Sequence, residues 1–475
     1  MTEPTPAVAA APSDSNVGML NRCLFLVFAA FVLLLLGKTF VFGSQAGNFW
    51  YSYYAEASAG VVGFALTSGV TLAVLLHYTL PLVERRSGLT ILIWMIAALG
   101  YQWVARSFYA YPAAAGVISD GANSFYSISL KYSPIDFLKN FETLRPGLVL
   151  HGVTNMPGKV TLYWLLEIFS KDPAVLAALV MVCSNLASGA LYLAAVEMFK
   201  DRQVALFAFV LSLVVPAKIG FLPLLNTVSP GFIFLSLWLW LVYLRKQQIV
   251  WLMLLGASLY VVAFFDALPL VIGLVFVGAL IQRMLVREYP SKQLWKVFVF
   301  VPLGFGVLYL LVLAVFRFEL FRSFFTLIVH NTSTFNASFG RKYSAWVIHN
   351  FKEFFMNAGL LVSLPFLLWV WERLGGAVQS VRAKQWRGDL KALLADPASN
   401  VLFFTALSLV VVDLWGINRG EITRLWLFFD FLLCFAVGHL VLRRLGTSTA
   451  YLVGSSAAIQ AVITVAMVEF MGGQP

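Results

Sequence analysis

The chain has 475 residues, 60% of them hydrophobic and only 12% charged, with a mean hydropathy of +0.85 and a formal net charge of +11. Those proportions exclude a soluble globular domain. Much of the positive charge falls in short linkers between apolar runs, so topology accounts for it and no nucleic-acid partner is required.

Residues 1–20, MTEPTPAVAAAPSDSNVGML, carry two acids and no base. They read as a disordered cytoplasmic tail without the basic start of a signal peptide. Residues 21–472 then read as a single polytopic membrane domain with no separate soluble domain. Apolar runs lie at roughly 24–43, 60–82, 89–107, 174–197, 203–217, 229–244, 249–265, 268–285, 297–316, 355–372, 400–415, 425–442 and 449–470. They predict an all-α integral membrane protein of about thirteen spans, because lipid offers backbone groups no hydrogen-bond partner outside a helix. The runs at 203 and 249 are short, so they are extended, tilted or partly re-entrant. Cys23, Cys183 and Cys434 are far apart in apolar segments and specify neither a disulfide framework nor a thiolate metal site.

Alternate linkers are basic: ERR at 84–86, KDR at 200–202, RK at 245–246, and the segments at 283–296, 373–391 and 443–444. With these on the cytoplasmic side, the N-terminus is cytoplasmic and the C-terminus EFMGGQP extracytoplasmic. The opposite side receives 44–59, 108–173, 218–228, 317–354 and 416–424, which hold nearly all the remaining chemistry. In the segment 108–173, SPIDFLKNFETL at 133–144 has near-helical apolar spacing and predicts an interfacial helix; a second helix is expected from Val160. In the segment 317–354, Asn331 and Asn336 fit the glycosylation acceptor pattern, which has meaning only in a eukaryotic secretory context.

Carboxylates at this face are candidates for general bases. Asp120, in an Asp-Gly pair before Tyr126 and Tyr132, either caps the turn or takes a proton from an acceptor hydroxyl. In HGVTNMPGKVTLYW, residues 151–164, Pro157 fixes one dihedral and Gly158 frees the next, and a helix opening there offers unpaired amides to an anion. His151 is either neutral and hydrogen-bonding or a cationic phosphate partner, and Asn155 and Lys159 stand beside it. In DLWGINRGEITRLWLFFD, residues 413–430, Arg419, Glu421 and Arg424 crowd a short loop. Glu421 and Arg424, three apart, form either a structural ion pair or a phosphate-binding pair. Lys218, Asp266, Arg341 and Lys342 are secondary cavity residues or interfacial anchors. No metal motif occurs, although a divalent ion is compatible with the chemistry.

The span count, the long first-third segment, His151 with Met156-Pro157-Gly158, and WGINRGEITRLW resemble the polytopic glycosyltransferases of the C fold class (GT-C). That resemblance implies an inverting enzyme of cell-envelope glycan biosynthesis. It would move a sugar from a polyprenyl-phosphate donor to an extracytoplasmic lipid or glycan acceptor, in the bacterial cytoplasmic membrane. It further implies Asp120 or Glu56 as base and His151, Asn155, Lys159, Arg419, Glu421 and Arg424 around the donor phosphate. The chain departs from the family at Met156, which replaces the first proline of a Pro-Pro-Gly turn, and in a first outer loop whose one acid is Glu56. A transporter or flippase of a lipid-linked sugar or organic anion is the alternative, for which no clear internal repeat is seen, and a non-catalytic scaffold is a third. Oligomeric state is not specified.

Overall fold

The computed structural model describes residues 14–266 and 268–471. Ten helices among them are long and apolar enough to cross a membrane: Val17–Leu36, Ala59–Arg85, Ser87–Ser107, Pro173–Phe199, Leu225–Lys246, Leu268–Leu285, Ser291–Phe316, Leu360–Arg382, Pro397–Trp415 and Thr447–Met467. The protein is therefore a helical integral membrane protein. Three of the expected runs fall short of span length. Arg202–Val214 has 13 residues and stops before Pro216, and Ile249–Phe265 has 17 and stops at Asp266. The run expected at 425–442 is interrupted at Trp426, leaving Leu427–His439, which continues into a π-helical turn at Leu440–Leu445.

The expected tail also needs correction. Residues 1–13 lie outside the described residues, but 14–20 belong to the first helix, Asp14–Leu36. Val17, Met19 and Leu20 extend its apolar pattern, and Asn21 ties it to the last helix by donating to Ser448 (3.1 Å) and accepting from Thr449 (2.8 Å).

Burial separates central from peripheral helices. In Leu225–Lys246 and Thr447–Met467 78% of the most apolar window is buried within the protein, whereas in Ser291–Phe316 only 6% is, so the last faces lipid almost all round. It is held at a close crossing with Ile249–Phe265. A Cβ on Gly304 would lie 2.1 Å from the Met253 carbonyl oxygen and one on Gly256 2.1 Å from that of Val301, so only glycine admits this backbone contact.

Lys218 is buried here rather than cavity-facing. Its Nζ donates to Asn185 Oδ1 (2.8 Å), Ser188 Oγ (3.2 Å) and the Ser184 carbonyl (3.2 Å), and Asn185 is also bonded to Gln102 (2.8 Å). An amine inside an apolar bundle requires such satisfied partners, and the helix Pro173–Phe199 supplies all three.

The segments after Leu36, Ser107, Val214, Phe265, Phe316, Trp415 and Met467 gather at one end of the bundle around a shared cavity. The first holds the only two strands described, Phe42–Ser44 and Phe49–Tyr51, an antiparallel hairpin within a fold expected to be wholly helical. Aromatic FWY favours the strand, Asn48 (φ +61°) lies in the connecting turn, and Gly43 (φ +83°), inside the first strand, leaves room for the Phe49 carbonyl oxygen, 2.6 Å from where a Cβ would sit. In the second, the expected helix at 133–144 is two short ones, Pro134–Lys139 and Phe141–Leu144, broken at Asn140. The helix expected from Val160 is Gly158–Glu167.

Candidate functional site

The cavity has a volume of about 510 Å³, within the range of pockets that hold small organic ligands. Leu268, Leu270, Val271, Phe324, Leu327 and Ile328 make an apolar flank, and Asn48, Asn226, Asn331 and Asn418 add polar groups. Of the residues singled out from sequence, His151, Asn155, Lys159, Asp266, Arg341, Arg419, Glu421 and Arg424 all line it. They come from four segments, and the bundle brings them to one place.

Three basic residues centre on Glu421. Arg341 Nη2 donates to Glu421 Oε1 (2.5 Å), and Arg424 Nη2 donates to the other oxygen. Arg419 lies beside them, its Nη1 donating to the Arg341 carbonyl (3.1 Å) and its guanidinium over the Tyr343 ring. Burial pushes the Glu421 carboxyl up, but Arg424 and Arg341 outweigh it and bring the group down to about 2. Glu421 is therefore an anion shared by two guanidiniums, which leaves a net positive charge at the cavity wall. Of the two meanings offered for the Glu421 and Arg424 spacing, the structure shows the ion pair, with Arg341 as a second cation on the same carboxylate.

The loop that carries this cluster is held from behind by the helix Tyr343–Asn357. Asn350 donates to Asp413 (2.8 Å) and to the Asn418 carbonyl (3.1 Å), and Asn336 donates to the Ile417 carbonyl (2.8 Å). Glu353 Oε1 accepts from both the amide (2.9 Å) and the hydroxyl (2.8 Å) of Thr423, next to Arg424. Glu353 is legible in the sequence only as one of several acids on this side, since its partner lies seventy positions away. Burial raises its carboxyl to about 7 against the lowering influence of those Thr423 bonds.

Glu421 and Glu353 thus act on stability in opposite directions. For Glu421, the depressed value means stabilisation that is present above about 4.5 and lost as pH falls toward about 2. For Glu353, the native state keeps a proton that the unfolded chain releases between 4.5 and about 7, so stability falls as pH rises through that window. The gap corresponds to roughly 3 kcal/mol. Glu353→Gln keeps an acceptor for Thr423 without the charge. Its thermal midpoint in detergent is expected to fall less across the window than that of the wild type and to lie above it beyond pH 7; a wild-type slope in the variant would refute this.

Beside this cluster, His151 Nε2 lies 2.8 Å from the Gly121 carbonyl oxygen and 3.3 Å from Arg424 Nη1. One ring nitrogen cannot donate to the first and accept from the second at once, and the shorter contact selects the Nε2–H tautomer. Burial and then Arg424 lower this histidine to about 3, so it is neutral at pH 7. Of the two roles expected for His151, the hydrogen-bonding one holds. Lys159, 1% exposed, donates to Asn155 Oδ1 (2.7 Å) and lies 3.5 Å from Asp266. Burial lowers its ammonium, and Asp266 opposes that shift. Gly158 has no left-handed backbone; its use is room, because a Cβ there would lie 2.5 Å from the Phe264 carbonyl oxygen.

Against known proteins, the chain matches no family model and no curated relative. The site is therefore read from its own residues.

Four sequence candidates stand outside the cavity lining. Asp120 is exposed, and its Oδ1 accepts from Ser127 (2.5 Å) while its carbonyl accepts from Ser124 (2.5 Å), so it caps its own turn. Glu56, with 87% of its side chain exposed, pairs with Lys38 (3.2 Å). Lys342 is exposed at the start of the helix Tyr343–Asn357, and Lys218 is buried as described. Sequence reasoning passed over the hairpin residues Asn48 to Ser52 and Glu469, all of which line the cavity.

Proposed function

We propose that this protein is a membrane glycosyltransferase that moves a sugar from a polyprenyl-phosphate, or related lipid-phosphate, donor to a lipid or glycan acceptor. The observation that carries the reading is the surplus positive charge where Arg341 and Arg424 share Glu421, facing a cavity with an apolar flank. A phosphate suits the guanidinium forks, and a polyprenyl chain suits the flank formed by Leu268, Leu270, Val271 and Leu327. In the low-dielectric surroundings of the bundle, charge on the departing lipid phosphate is met by groups already in place. His151 holds the Gly121 turn against Arg424 instead of adding charge, and Lys159, paired with Asp266, also lines the cavity.

In this reading the three shorter apolar helices also cross, giving thirteen spans in a GT-C-like arrangement. The cavity then lies on the extracytoplasmic side of a bacterial cytoplasmic membrane, opposite the basic linkers at 84–86, 200–202, 245–246, 373–391 and 443–444. Single displacement at the anomeric carbon inverts its configuration.

The test supplies purified protein in lipid vesicles with a panel of polyprenyl-phosphate sugars and extracted envelope glycans. Transfer of labelled sugar with release of polyprenyl phosphate is the expected result. Labelled lipid crossing the bilayer with no donor consumed would replace this reading with a flippase.

A further inference from the structure

Resting on the transfer reading, we infer that Glu469, and neither Asp120 nor Glu56, is the carboxylate that takes the acceptor's proton. Three acids line the cavity: Asp266, Glu421 and Glu469. Glu421 is shared by two guanidiniums, and Asp266 lies 3.5 Å from Lys159 Nζ and accepts from Ser229 Oγ (3.3 Å). A carboxylate engaged by cations holds its electron pairs for them and is a weak base. Among the described residues, no hydrogen bond or ion pair engages the Glu469 side chain, which is partly exposed to the cavity.

Its backbone is nonetheless held on every side. The Glu469 amide donates to the Ser52 carbonyl (2.9 Å), Tyr53 bridges Val468, and the Met471 amide donates to the Tyr109 hydroxyl (3.0 Å). Phe470 is set among Phe42, Tyr51 and Phe221, with ring centroids 5.9, 5.2 and 5.5 Å away. A Cβ on Gly220 would lie 2.8 Å from that ring, so the approach is built for glycine. A fixed backbone with an unengaged carboxylate facing a reaction cavity is what a general base requires. The hairpin residues Phe49 and Trp50 line the same cavity.

The step balances without a further reagent. The acceptor hydroxyl oxygen forms a bond to the anomeric carbon as the bond from that carbon to the donor phosphate oxygen breaks. Its electron pair leaves with the lipid phosphate, and the hydroxyl proton passes to a Glu469 carboxylate oxygen and then to water at the cavity mouth.

Glu469→Gln, Glu469→Ala and Asp266→Asn are to be compared with wild type in vesicles carrying the polyprenyl-phosphate sugar that the wild type uses, with donor affinity measured alongside. Glu469→Gln is expected to lose transfer by about 10²- to 10⁴-fold with donor affinity unchanged. Added formate is expected to restore part of the rate to Glu469→Ala, which a merely structural role for Glu469 does not predict. Transfer by Glu469→Gln within a few-fold of wild type, or formate rescue of Asp266→Asn instead, overturns the assignment while the transfer reading stands. A wild type that transfers no sugar overturns both.

Discussion

Arg424→Ala is expected to lower sugar transfer from a polyprenyl-phosphate donor by about 10²- to 10³-fold, the usual cost of removing one preorganised donor from a developing oxyanion. The fold should tolerate it. With Arg424 gone, Glu421 keeps Arg341 at 2.5 Å, so the buried carboxylate remains paired and the wall loses only its surplus charge. Arg424→Lys tests geometry as distinct from charge. The guanidinium spans Glu421 on one side and the Ala122 carbonyl (3.4 Å) on the other, and an ammonium cannot reach both. Lysine should therefore recover only a small part of the rate. Transfer at wild-type rate by Arg424→Ala, with the variant folded, would move the phosphate to the Lys159 end of the cavity.

What the sequence made legible here was the material that acts locally. Apolar runs of span length appear as helices because lipid leaves the backbone no other choice, and where the runs are cut by Pro216, Asp266 or Trp426 the helices are cut too. The chemistry of HGVTNMPGK and NRGEITR was also legible, since polar residues are costly at a membrane edge without a purpose. Their meeting across more than 250 positions, at His151 and Arg424, was an inference from side of membrane, and the cavity joins them. Asp120 failed as a cavity residue because Asp-Gly chemistry is local: Ser124 and Ser127 engage it before anything distant can. The place of Glu469 and the partner of Glu353 were not legible, for the opposite reason. Glu469 owes its place to Ser52 and Tyr109, Glu353 to Thr423, and no spacing pattern encodes partners so remote in sequence. Lys218 in VVPAKIG resembles a turn lysine, and only the packed helix Pro173–Phe199 reveals its acceptors.

Glu421→Gln is the substitution expected to cost most stability. Arg341, Glu421 and Arg424 are each under one-fifth exposed, so removing the shared anion leaves two guanidiniums facing one another with little water to screen them. Breaking a buried pair in this way costs about 3–5 kcal/mol, and the thermal midpoint in detergent should fall accordingly. The double variant Arg341→Met with Glu421→Gln removes one of the two cations and should regain part of the loss. Non-additivity of that kind would mark the three side chains as one electrostatic unit. The same variant also probes what the wall is for. If the cavity takes a lipid phosphate, added polyprenyl phosphate replaces the missing anion, and at about a hundredfold excess over its dissociation constant it should return about 2.7 kcal/mol. Wild type, whose cations already share a carboxylate, should gain less. Equal gains, or none in either protein, would mean that Arg341 and Arg424 serve the fold alone, since a wall built to receive phosphate must respond to it most when its own anion has been removed.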